Sequence, residues 1–307
     1  MDTHHRVASV TMTISSRISI WIALACGMLI APAWCAEGQG SGSSPPHGPG
    51  HMIGAGKGRA VERRPGRKNV LAWIDSRSAM QSHAAAVIER LGHDSGLYDT
   101  YIRADAAGAP DHSELEAFDG IFFLGSRDDE LTPQQQADLL AFVRDGKGFV
   151  GGHAATDGFP SWAEFGEMLG GRLEEHPWGK TDTILVVEDP IFPGMQGLPR
   201  LLATHDETYE IRDLSRSEVD VLIRLDVSHL DPTKPKRKDG DFPMTWAKPY
   251  GKGRVYVNSL GHEIDAWDNP AFQRMYFEAM KWILGLTNTR IATHPRVEVE
   301  GSPQPFK

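Results

Sequence analysis

From Asn69 onward the chain alternates between short apolar runs and stretches of helical periodicity. Asn69-Val70-Leu71-Ala72-Trp73-Ile74 has the length and composition of a buried strand. Residues 78–91 then place apolar side chains at helical spacing, and Gly92 follows as a stop signal. Tyr98 to Arg103 predicts a second, weaker strand. Gly120-Ile121-Phe122-Phe123-Leu124 is continuously apolar, the pattern of a strand covered on both faces. Thr132-Pro133 supplies an N-cap and a proline for the first helical position. Leu139, Leu140 and Val143 share one face of that helix, Gly146 ends it, and Phe149-Val150 begins the next strand. The order β-α-β-(α)-β-α-β predicts an α/β fold with a parallel sheet, right-handed crossovers and helices on both faces.

After His153 the rhythm changes. Residues 162–169 suit a short helix. Residues 183–187, 219–225 and 254–258 read as strands separated by long polar loops, and Gly251-Lys252-Gly253 reads as a hairpin turn. Residues 269–284 form a closing amphipathic helix with Phe272, Met275, Tyr276, Ala279 and Ile283 near one face. The later strands therefore extend a flavodoxin-like sheet within one domain, residues 68–290, followed by a tail, 291–307.

The N-terminal pattern is different. Arg17 precedes the apolar run Ile18 to Ile30, and Ala31-Pro32-Ala33 follows with small residues. Basic, apolar and small segments in that order predict a secretory signal peptide over residues 1–36 and a periplasmic or secreted protein. No stable membrane span is expected after cleavage, because the run is short of the roughly 20 apolar residues a spanning helix needs. Residues 37–67 are rich in Gly, Ser and Pro and predict a flexible linker. The formal net charge is −9, which argues against a nucleic-acid partner. Both cysteines, Cys26 and Cys35, lie in the leader segment. The domain therefore has no thiol for a disulfide, a zinc ligand or a nucleophile.

Histidines mark the candidate site. His153 follows Phe149-Val150-Gly151-Gly152, His205 follows Leu201 to Thr204, and His262 follows Val255 to Gly261. His176 ends a glycine-led stretch. In open α/β folds the crevice beyond the carboxyl ends of the strands holds the ligand. His153, Glu207 and His262 each follow an apparent strand, so their side chains are expected within about 10 Å of one another, around one small ligand. The imidazole of His153 is open to three readings: metal ligand, general base or structural hydrogen-bonding group. A histidine at the mouth of a glycine turn is expected to contribute little core burial. In an extended segment, His205 and Glu207 share one face and Asp206 points away. Asp157 stands four residues after His153, where it orients the imidazole, binds hydroxyls or caps the next segment. Trp267, five residues after His262, either covers the apolar face of a sugar or packs beneath the last helix. The histidine spacing matches no short metal signature and HExxH is absent, so a divalent metal site would be assembled across loops.

The stretch Gly151-Gly152-His153-Ala154-Ala155-Thr156-Asp157, with Trp162, Leu169-Gly170-Gly171 and His176-Pro177, resembles the ThuA-like (trehalose-utilisation) family. Asp206-Glu207 before Tyr209, Tyr250-Gly251-Lys252-Gly253-Arg254-Val255, and Ser259-Leu260-Gly261-His262 before Trp267 extend the resemblance across nearly all of the domain. It implies the class I glutamine-amidotransferase-like fold and a role in sugar utilisation. Relatives with amidotransferase activity carry a cysteine nucleophile at the elbow where this chain has Gly151-Gly152-His153, so thioester chemistry is excluded. The resemblance and the residues together predict an exported enzyme acting on a glycoside or keto-sugar, by hydrolysis, elimination or isomerisation. His153, Glu207 and His262 would be catalytic; Asp157, His176, Tyr209 and Trp267 would hold a small-molecule sugar. A non-catalytic sugar-binding protein and a structural module remain alternatives, and a homodimer is open.

Overall fold

The computed structural model describes residues 51–52, 61–103, 109–125 and 131–298. The expected leader and most of the linker lie outside the described residues. The chain runs β1 (His51–Met52), β2 (Lys68–Trp73), α1 (Ala79–Ser95), β3 (Tyr98–Arg103), α2 (His112–Leu115), β4 (Gly120–Phe123), α3 (Pro133–Arg144) and β5 (Gly148–Gly152). It continues with α4 (Ala163–Leu169), β6 (Arg172–Glu175), β7 (Lys180–Val187), β8 (Leu201–Glu207) and β9 (Glu210–Arg212). It closes with β10 (Asp220–Asp226), β11 (Pro243–Tyr250), β12 (Gly253–Asn258) and α5 (Pro270–Ile283). No helix among the described residues is long and apolar enough to cross a membrane.

The main sheet has 10 strands in the order β1-β3-β2-β4-β5-β12-β11-β10-β7-β8. From β1 to β12 all neighbours are parallel. From β12 to β8 all neighbours are antiparallel. This is a mixed α/β fold whose first half follows the predicted alternation. The second half is the extension foreseen in outline, with β11 and the short strands β6 and β9 unanticipated. β12 joins the parallel set through the hairpin with β11, where Tyr250 pairs with Gly253. β8 lies four antiparallel steps from β12, so it again points the same way. The carboxyl ends of β5, β12 and β8 consequently fall on one edge of the sheet.

The strand period places helices on both faces. Phe122 packs edge-on against Tyr276 of α5, with ring centroids 5.9 Å apart. Its neighbour Phe123 points the other way and meets Phe165 of α4 at 5.8 Å. The capping box predicted around Thr132 is present: its hydroxyl accepts from Gln135 N–H, and the Gln135 side chain returns to Thr132 N–H.

One boundary differs from expectation. Helix α1 passes through Gly92 and ends at Ser95, capped by Gly96 at φ +71°. A Cβ on Gly92 would lie 2.3 Å from the Tyr98 ring, so that glycine permits close packing of β3 and does not stop the helix. Within the tail, two backbone groups bond buried carboxylates. Ala292 N–H donates to Asp220 at 3.2 Å, and Val297 N–H donates to Glu188 at 3.2 Å.

Candidate functional site

β5 ends in two glycines at crowded positions. A Cβ on Gly152 would lie 2.6 Å from Leu124 and 3.1 Å from the Tyr276 hydroxyl. The chain then turns sharply, and His153 adopts φ +37°, a left-handed conformation costly for a residue with a Cβ. Its imidazole is held at both ends. Nδ1 lies 3.0 Å from the Ser259 carbonyl, which only accepts, so Nδ1 carries the proton. Nε2 therefore presents its lone pair. His153 is 5 % exposed, so the expectation of little burial was wrong: the ring is closed in by the Ser259 carbonyl, Tyr209 and His262.

Three further groups meet that lone pair. The Tyr209 hydroxyl lies 3.2 Å from His153 Nε2, close enough to donate to it where nothing else occupies that lone pair. His262 Nδ1 is 3.2 Å away. A Glu207 carboxylate oxygen is 3.6 Å from His153 Nε2 and 3.0 Å from His262 Nδ1. His176 Nε2 approaches the same oxygen at 3.8 Å. The facing ligand atoms of His153, Glu207 and His262 all lie within 4.8 Å of one another and could hold a metal ion.

Two devices build this convergence. The first is Asp206, which is 2 % exposed. Its carboxylate accepts from Glu207 N–H at 2.8 Å, Gly261 N–H at 2.8 Å and His262 N–H at 3.0 Å. One side chain thereby clamps the end of β8 to the turn after β12. The second is the small antiparallel pair β6–β9, in which Glu175 pairs with Glu210. That pairing sets His176 beside Tyr209, with ring centroids 4.6 Å apart.

Burial, opposed by the Ser259 carbonyl and nearby carboxylates, holds the His153 imidazole below its ordinary pKa and keeps it neutral. Burial and then the charges of Glu207, Asp157 and Asp206 push the Tyr209 phenol well above its ordinary range, so it remains a donor. Asp157 itself lies at the end of the turn that begins with His153. At the rim, Lys180 bonds Glu263 at 2.6 Å, which raises the lysine and lowers the carboxylate.

A family model described as ThuA, trehalose utilisation, matches residues 69–283. The chain belongs to the ThuA family. A solved ThuA-like protein from Bacteroides uniformis is 20 % identical with a TM-score of 0.60, over 74 % of this chain and 95 % of that one. A ThuA-like protein from Parabacteroides merdae is 19 % identical, also with a TM-score of 0.60, over 73 % of this chain and 92 % of that one. At such identity the structures speak for the fold alone, which is the class I glutamine-amidotransferase-like one. No curated protein matches the chain. ThuA membership places the protein in carbohydrate utilisation in general.

Within the ThuA domain, the structure brings His153, Glu207, His262, His176 and Tyr209 together. Trp267 is elsewhere. It is fully buried, packs edge-on against Phe122 and Phe272 and tilted against Tyr276, and donates its indole N–H to the Gly261 carbonyl at 3.0 Å. It supports the His262 turn from below and has no face free for a sugar. His205 points outward and pairs with Asp182 at 2.8 Å across the β7–β8 register. Asp206 was not among the predicted site residues. Its only sequence signal was the family element Asp206-Glu207, since alternation merely aimed it away from Glu207.

Proposed function

We propose that this ThuA protein is an enzyme of carbohydrate utilisation whose reaction centre is the His153–Glu207–His262 cluster, joined by His176 and Tyr209. Its substrate class is a glycoside or keto-sugar, and its reaction is hydrolysis, elimination or isomerisation. The observation that carries this reading is the aimed lone pair of His153, fixed by Ser259, facing a carboxylate and a second imidazole at 3.6 and 3.2 Å. Such a set can take a proton from carbon beside a carbonyl, or from water, and return it to a neighbouring oxygen. Family membership supports sugar as the substrate class. The N-terminal pattern around Arg17 and Ile18 to Ala33 supports export to the periplasm.

The direct test incubates the purified protein with glycosides and their keto derivatives in deuterated water. Product formation or deuterium uptake at carbon is expected, and Glu207→Gln should abolish it. A protein that binds these sugars, with neither product nor exchange, would belong to the sugar-binding alternative. Mass spectrometry of periplasmic protein should find an N-terminus near Ala33 to Ala36; an intact leader in a cytoplasmic fraction overturns export.

A further inference from the structure

We propose that His153 Nε2, His262 Nδ1 and a Glu207 carboxylate oxygen bind one divalent transition-metal ion of the Zn²⁺ or Mn²⁺ kind, leaving an open side for the oxygen atoms of a sugar. The inference rests on reading this cluster as the reaction centre and names the electrophile that centre uses.

The three atoms form a triangle with sides of 3.0, 3.2 and 3.6 Å. The centre of that triangle lies about 1.9 Å from each corner, so an ion at the usual ligand distance of about 2.1 Å sits just outside its plane. The orientation of His153 agrees. His153 spends its Nδ1 proton on the Ser259 carbonyl, the outer contact that fixes a ligating imidazole and points its other nitrogen at the metal. The ligands are also tied together, because Asp206 binds the N–H groups of both Glu207 and His262. Two of the three donors therefore move as one body.

Charge points the same way. Glu207 meets imidazoles, whereas Lys180, whose charge reaches it, is held by Glu263. Three electron-pair donors facing one point need a cation or a shared proton between them. Two nitrogens with one oxygen suit Zn²⁺, Mn²⁺, Fe²⁺ or Co²⁺ better than Mg²⁺ or Ca²⁺, which prefer all-oxygen sets. The solvent side is open: the side chains of His262 and His176 are 36 % and 32 % exposed. Three protein ligands and an open position are the arrangement of a catalytic metal, not a structural one. A sugar oxygen on that position would be polarised, with His176 and the Tyr209 hydroxyl left to handle protons beside it.

The test uses tag-free, chelator-treated protein titrated calorimetrically with ZnCl₂, MnCl₂ and MgCl₂. Co²⁺ absorption in the visible range serves as a second readout. One equivalent of Zn²⁺ or Mn²⁺ should bind. Glu207→Gln and His262→Ala should each weaken binding by about 100-fold or more and erase the Co²⁺ bands. His205→Ala, on the outward face, should change neither. The absence of saturable binding overturns the proposal, as does undiminished binding in Glu207→Gln. Mg²⁺ binding as tight as Zn²⁺ overturns the assigned ion class. One-equivalent binding without turnover on any sugar keeps the metal site and removes the catalytic reading. Sugar turnover that survives chelation, with no binding, does the reverse.

Discussion

Glu188 and Glu207 are two carboxylates withdrawn from solvent at different places along the antiparallel half of the sheet. Glu188 is wholly buried and is met by Arg216 at 2.8 Å and Arg224 at 2.8 Å. Arg216 also holds Asp241 at 2.7 Å, and the tail closes over the group through Val297 N–H. Guanidinium groups stay charged at any physiological pH, so this carboxylate is neutralised permanently. Glu188 also has His294 Nδ1 at 3.7 Å, but its short ion pairs are to guanidinium groups; the ion-pair partners of Glu207 are imidazoles, which can give up or accept a proton or donate to a cation. The same problem, a sheltered negative charge, is closed in one place by fixed partners and left chemically available in the other. Burial alone does not distinguish the two carboxylates; the identity of their partners does.

The comparison is broken most directly at Glu207. Glu207→Gln keeps the shape and removes the charge. Turnover is expected to fall by roughly 10²- to 10⁴-fold, with a melting temperature close to wild type. A large loss of stability with activity retained would reverse the assignment. At Glu188 the opposite is expected. Glu188→Ala removes the carboxylate that meets buried Arg224 at 2.8 Å and should cost about 3–5 kcal/mol in denaturant unfolding. Turnover per folded molecule should stay near wild type, and proteolysis should open the tail.

Asp206 sharpens the comparison because its bonds are structural and hold the candidate cluster together. Asp206→Asn replaces an oxygen acceptor with an amide donor, so at least one of three N–H groups loses its partner. About 1–3 kcal/mol of stability should go, together with most of the activity, since the His262 turn is released. Stability lost with activity intact would make Asp206 a strut only.

The smallest effect concerns Asp220, beneath the tail. Burial raises its pKa from 3.8 to about 6, against the pull of Ala292 N–H. The folded state therefore binds this proton more tightly than the unfolded state. The stability it contributes is fully present below about pH 4 and is lost as pH rises through about 6. In Asp220→Asn this part of the pH dependence should vanish, a change on the order of 1–3 kcal/mol between pH 4 and 7. Urea midpoints across that range provide the measurement. An unchanged pH profile would show that Asp220 ionises freely in the folded protein.

The parallel half of the fold was legible because local signals there are redundant. Continuous apolar runs, Thr132-Pro133 and the glycine stops all agree on element type and order. Gly92 shows where a local signal misleads, since its packing against Tyr98 cannot be seen from its neighbours in sequence. The antiparallel half was read in part. Pro243 to Tyr250 carries proline, lysine and methionine and lacks a clear alternation, so β11 declares itself only through its partners β10 and β12. The site was legible as a set of strand-end histidines plus the family element Asp206-Glu207, while Trp267 had two readings that no local feature separated.

By itself the sequence determined the alternation of β and α, the absence of a thiol in the domain, and the chemical types available at the strand ends. Those follow from side-chain chemistry and short-range periodicity. Only the tertiary structure decided that Glu207, on the last strand of the sheet order, meets His153 and His262 from its middle. That contact depends on the even number of antiparallel steps between β12 and β8 and on the Asp206 clamp. The β11–β12 step is a local hairpin, but the β7–β10 pairing and the Asp206 bonds to Gly261 and His262 join residues dozens of positions apart, where no periodicity can announce them. The same holds for the His153 tautomer, which a single carbonyl at Ser259 sets.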